Sequence, residues 1–187
     1  MVTDRRESFY EAKCAELCAR YSGFEESSAS VLRNLVHTYD VISTWGQKCL
    51  NDYGLAKSSF NILMILRHGP SEGMQLHDLG ELLLMSRANV TGLIDHLEQK
   101  GLVKRIVDAN DRRARFARIT RKGEALLDEA GPRYFVRIAQ LLENFTPEER
   151  TTFVRLLKKL RRETLAEDEE TTVTADQQPG TQTFFES

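Results

Sequence analysis

Between Ser86 and Thr120 the chain gathers side chains able to grip an anionic polymer. Arg112, Arg113 and Arg115 crowd one short stretch, with Lys104, Arg105, Arg118, Arg121 and Lys122 close in sequence and only Asp108 and Asp111 to offset them. Guanidinium and ammonium groups neutralise phosphates, and a guanidinium can also pair twice with a guanine edge. Just upstream, Ser86, Arg87, Asn89 and Thr91 supply short donors and acceptors, with His96 further along and the small Ala88 and Gly92 between them. Arg87, Asn89 and Thr91 are the candidates for base edges, because the N-terminal part of a recognition helix enters a major groove deepest. Lys104 and Arg112 are the candidates for phosphates, which fix position without reading sequence. A merely solvated charged face is the competing explanation. The near absence of balancing acid beside a groove-sized helix argues for DNA.

Other chemistries find little support. His37, His68, His77 and His96 show no metal-ligand spacing with cysteine or acid, no glycine-rich phosphate loop is present, and no paired-carboxylate or Ser-His-Asp arrangement can be argued. Neither enzymatic activity, nor a metal, nor a cofactor is expected. Cys14 and Cys18 lie four apart on one predicted helical face, and Lys13 or Arg20 could favour a thiolate there. Free cysteines more often pack as small apolar groups, the expectation for Cys49 as well. Three cysteines make no disulfide scaffold, and neither a signal-peptide core nor a membrane-length apolar run occurs, so a cytoplasmic protein off the membrane is expected.

The formal charge of −2 conceals an asymmetry. After Arg162 there are seven acids and no Lys or Arg, so residues 1–162 carry 26 basic against 21 acidic groups, a formal charge of +5. A length of 187 residues suits one core with extended arms.

The elements that must hold these groups follow from hydrophobic spacing and caps. Residues 5–21 predict a helix with Tyr10, Cys14, Leu17, Cys18 and Tyr21 on one stripe, and a second helix, capped by Ser27 or Ser28, runs to about Leu50. A turn at 51–54 precedes an apolar helix over 58–68, ended by Gly69-Pro70. After the loop 71–74, a short helix over 75–84 leads through Met85 to a helix capped by Ser86, with Val90, Leu93, Ile94 and Leu97 buried and Gly101 as its stop. Two helices so closely joined make a helix-turn-helix. Strands over 102–107 and 115–119 form a hairpin around the arginine-rich turn. A helix from Thr120 to about Asn144 should kink at Gly131-Pro132. Thr146-Pro147-Glu148-Glu149 is a capping box opening a last helix with Phe153, Leu156, Leu157 and Leu160 on one side. From about Ala166 the polar, acidic composition predicts disorder.

The fold is therefore expected to be mainly α with a small β-hairpin wing. Residues 1–26 form an N-terminal extension, 27–54 and 123–165 dimerisation helices, 55–122 a winged helix-turn-helix lobe, and 166–187 an acidic tail. The run GLVKR, then Asp111-Arg112-Arg113, then Ala117-Arg118-Ile119-Thr120 and Gly123, resembles the MarR family of bacterial transcription regulators over roughly residues 28–163. That resemblance implies a homodimer on a palindromic operator, repression of transcription, and release by a small aromatic ligand or by cysteine oxidation. It also implies that Arg113 enters the minor groove and that Asp111 supports the wing through a partner near the end of the recognition helix. Histidine stands at 96 where many relatives carry arginine. An effector pocket is expected between the dimer helices and the lobe, with His37, Tyr39, Trp45, Phe60, Asn61 and Met64 as liners that could equally be ordinary core. Two alternatives stand beside this: a redox-sensing repressor using Cys14 and Cys18, and a winged-helix module that docks a protein instead of DNA.

Overall fold

Residues 11–107 and 115–176 are described by a computed structural model, with seven α-helices and three short strands among them. The helices are α1 (Glu11–Cys18), α2 (Glu26–Leu50), α3 (Lys57–His68), α4 (Leu76–Leu83), α5 (Arg87–Gln99), α6 (Arg121–Leu141) and α7 (Pro147–Asp176). The strands are β1 (Met74–Gln75), β2 (Val103–Val107) and β3 (Arg115–Ile119). The arginine-rich turn, with Asp111, Arg112 and Arg113, lies outside the described residues.

The chain divides into two compact units, one through Arg137 and one from Ile138 onward. In the first, the core is built by α3, α4, α5, the strands and the start of α6. Phe60, Ile62, Leu63, Leu79, Val90, Ile94, Leu97, Val103, Ala117 and Leu127 are essentially without solvent contact. Each of these apart from Ala117 contributes about 1.5–3 kcal/mol by leaving water, so the helix-turn-helix rests on a well-buried base. The sheet is antiparallel in the order β1-β3-β2. Val103 pairs with Ile119, Lys104 with Arg118 and Arg105 with Ala117, while Met74 pairs with Ala117 on the other edge.

Local chemistry sets the boundaries. The Ser86 hydroxyl accepts from the Asn89 amide at 3.3 Å and caps α5, and Gly101 adopts φ +71 just after that helix, a conformation that costs glycine little. Thr120 caps α6: its hydroxyl donates to the Gly101 carbonyl at 2.7 Å and accepts from the Gly123 amide at 3.2 Å. A Cβ on Gly123 would collide with the Leu102 carbonyl oxygen, so α6 can meet the segment leading into β2 this closely only through glycine. In the second unit, Thr146 and Glu149 exchange amide hydrogen bonds at 2.8 and 3.2 Å, completing the capping box.

Five expectations need correction. The loop 71–74 ends in a strand, β1, which sequence alone did not reveal. The cap of α2 is Glu25, not Ser27 or Ser28: its carboxylate accepts from both serine amides, at 3.0 and 2.7 Å. The first helix stops at Cys18, where Gly23 and its neighbours turn the chain. Helix α6 closes at Leu141, short of the expected end near Asn144, with Gly131-Pro132, where a kink is expected, inside it. Helix α7 runs ten residues past Ala166, because Leu165, Ala166 and the glutamates extend a helix already nucleated. Among the described residues, no helix is long and apolar enough to cross a membrane.

Candidate nucleic-acid interface

Helix α5 has one face committed to the core, since Val90, Ile94 and Leu97 are fully buried and Leu93 half-buried. Helical geometry then turns Arg87, Ala88, Asn89, Gly92, His96 and Gln99 outward, and all six are exposed. Gly92 is informative because packing does not require it: an added Cβ would meet no atom within 4 Å. A glycine inside a helix costs about 0.5–1 kcal/mol relative to alanine, so this one leaves bare backbone on a free surface at some expense. The result is a 13-residue helix with a polar outer face and a shallow centre, dimensions that suit a major groove.

Thr91, a candidate for base edges, is instead half-engaged, and so is Asp95 one turn on. Thr91 and Asp95 are half-buried against Arg105 of β2. The Arg105 Nη2 donates to the Thr91 carbonyl at 3.3 Å and lies 2.6 Å from Asp95 Oδ1. The Arg105 amide donates to Glu98 Oε1 at 2.9 Å, while its Nε sits 3.7 Å from Glu98 Oε2, too far for a hydrogen bond. One guanidinium thus joins the wing to the recognition helix. Sequence reasoning counted Arg105 only as one cation in a cluster. The missed signal was Asp95 and Glu98, three apart on α5, facing an arginine at an inward strand position.

The remaining candidates scatter. Ser86 is at the cap of α5. Arg115 opens β3 opposite Val107. Lys104, one residue before Arg105, points to the sheet face turned away from α5, opposite Arg118. Cys14 and Cys18 are half-buried free thiols one turn apart on α1, and Cys49 is also free.

The six pocket candidates do not surround one cavity. Phe60 and Trp45 face Tyr134, with ring centroids 4.9 and 6.4 Å away, and Phe135 lies 6.0 Å from the same ring. Burial, with a smaller contribution from Cys49, raises the Tyr134 phenol above its ordinary pKa. Sequence reading passed over Tyr134, although it is the hub of this group. Tyr39 is exposed, with Lys57 Nζ 5.0 Å above its ring. His37 and Asn61 are half-buried on α2 and α3. Met64 lines a cleft of about 300 Å³ with Arg67, His68, Leu127, Pro132 and Phe135, and none of the other five candidates borders it.

Comparison with known proteins places these features. The family model described as MarR family matches residues 55–114. The HTH-type transcriptional regulator MhqR of Bacillus subtilis is 30% identical over 135 residues, spanning 72% of this chain and 92% of that protein. The structure of BpsR from Bordetella bronchiseptica, a protein whose DNA binding is regulated by 6-hydroxynicotinic acid, is 28% identical with a TM-score of 0.64, covering 71% of this chain and 98% of that one. Sco3205 of Streptomyces coelicolor, solved in complex with DNA, shares the fold at 19% identity and a TM-score of 0.70 over 76% of this chain and 90% of its own. With the helix-turn-helix, the wing sheet and most of the length of these relatives in common, the chain belongs to the MarR family of transcription regulators.

Proposed function

We propose that the protein is a homodimeric cytoplasmic repressor that places the outer face of α5 in the major groove of a palindromic operator and releases it when a small aromatic effector binds. The observation that carries this is the outer face of α5, where Arg87, Asn89 and His96 stand exposed around a glycine that the fold itself does not require. Arg87 and Asn89 read base edges, Ser86 and Arg115 meet the backbone, and the wing residues Arg112 and Arg113 reach the phosphates and the minor groove, with Asp111 supporting them. Dimerisation is supported by apolar side chains that a single chain leaves uncovered: Val31, Leu32 and Val36 on α2, and Phe153, Val154 and Leu156 on α7. Two recognition helices related by a twofold axis address half-sites about one helical turn apart. The aromatic group around Tyr134 is the region for the effector, and the small aromatic acid named for BpsR supports that chemical class.

The test is a salt-titrated binding assay on the chain's own promoter. Affinity should fall steeply as salt rises, through counterion release. Arg113→Ala should weaken binding about tenfold or more per half-site, with helicity and dimer mass unchanged. Undiminished affinity in that variant would remove the assigned wing role.

A further inference from the structure

On the sheet face turned away from α5, the loop after α3, strands β2 and β3 and the start of α6 enclose a cleft of about 640 Å³. Arg67, Lys104, Arg118 and Arg121 line it, and Glu124 is the one carboxylate among its lining residues. The arrangement is electrostatically unfavourable as it stands. Lys104 and Arg118 face each other directly across β2 and β3, and like charges so placed destabilise an antiparallel pair. Arg121 is the first residue of α6, where the positive end of the helix dipole disfavours a cation. Arg67 is neutralised by Asp128 at 2.6 Å, and Arg118 is steadied by donating from Nη1 to the Ser71 carbonyl at 3.1 Å. Lys104 and Arg121 have no hydrogen-bond or ion-pair partner among the described residues.

We infer that this cleft binds a small phosphate-bearing metabolite, held by Lys104, Arg118 and Arg121 at the N-terminus of α6. An anion there relieves both repulsions and meets the guanidinium geometry that phosphate favours. The volume falls in the range of small-molecule sites, about 300–1,000 Å³. The sheet separates it from the groove-reading face, so the site does not depend on how that face engages DNA.

The probe is pyrophosphate, added to the full-length protein with ionic strength held constant by sodium chloride. Near saturation it should raise the melting temperature by about 5 °C. The double variant Lys104→Gln/Arg121→Gln should show no such rise, and should melt slightly above wild type without ligand, because both repulsions are gone. Equal shifts in the two proteins would place the binding elsewhere, and no shift in wild type would dismiss it; either result overturns the inference. Operator affinity measured in parallel decides the remaining case. If the double variant instead loses tenfold or more in operator binding while wild type ignores pyrophosphate, the cleft holds duplex phosphates and the small-anion assignment is wrong.

Discussion

Gly92 separates what the fold requires from what the surface does. Alanine in its place would meet nothing within 4 Å and would spare the helix a glycine. Gly92→Ala should therefore stabilise the protein by about 0.5–1 kcal/mol while reducing operator affinity, because the added methyl stands where the groove wall must approach. Chemical denaturation and anisotropy on the same samples check the two signs. Improved stability with unchanged affinity would mean that Gly92 is not at the DNA surface. At this scale, much of the recognition helix was legible: the buried residues Val90, Ile94 and Leu97 fix which positions face out, and the sequence carries that spacing. The basic cluster was less so. Lys104 and Arg105 are neighbours in sequence, but strand alternation sends one to the cationic cleft and the other into Asp95 and the Thr91 carbonyl. A run of cations gives no hint of that division until the register with β3 is known.

Among the elements, α2 carries the plainest pH dependence. Hydrogen bonds from the Ser28 hydroxyl and from the Ser28 and Ser27 amides hold the Glu25 carboxyl at about 2, against its ordinary 4.5. A depressed carboxyl stabilises the folded state above the unfolded value and loses that contribution as pH falls toward the folded one. The cap should be at full strength above pH ~4.5 and fade between pH ~4.5 and pH ~2, and the stability gap between wild type and Glu25→Ala should close over the same interval. The Ser28 amide resonance should titrate with a midpoint near 2, whereas a midpoint near 4.5 would mean that the cap does not form in solution. The helix caps show what local sequence can and cannot give. Thr146 to Glu149 and Ser86 were readable because a cap and its target lie within three residues. Glutamate is an uncommon cap, and two serines beside it drew the expectation away. Strand β1 was unreadable for a different reason: two residues have no periodicity, and Met74–Gln75 becomes a strand only because Ala117 and Phe116, some forty residues on, offer an edge.

For the whole molecule, the exposed apolar residues bear on assembly. Phe153, Leu156 and Leu165 on α7 are about half exposed in the single chain, and α2 leaves Val31, Leu32 and Val36 in a similar state. Large apolar side chains left exposed on two helices mark an association face, which agrees with arms that join two copies. Association matters to affinity through geometry. Once one lobe is seated, a covalent-like connection to the second holds it at an effective concentration near millimolar, and overall binding can exceed that of one lobe by about 10²–10⁴. Leu156→Asp places a charge on the face of α7 without disturbing the described core of the first unit. It should convert dimer to monomer in sedimentation, and operator binding should fall by about a hundredfold or more. Binding to an isolated half-site should stay the same, because each lobe keeps its own α5 and wing. Loss of half-site binding would instead indicate damage to the lobe, and a variant that remains dimeric would show that Leu156 lies off the joining face.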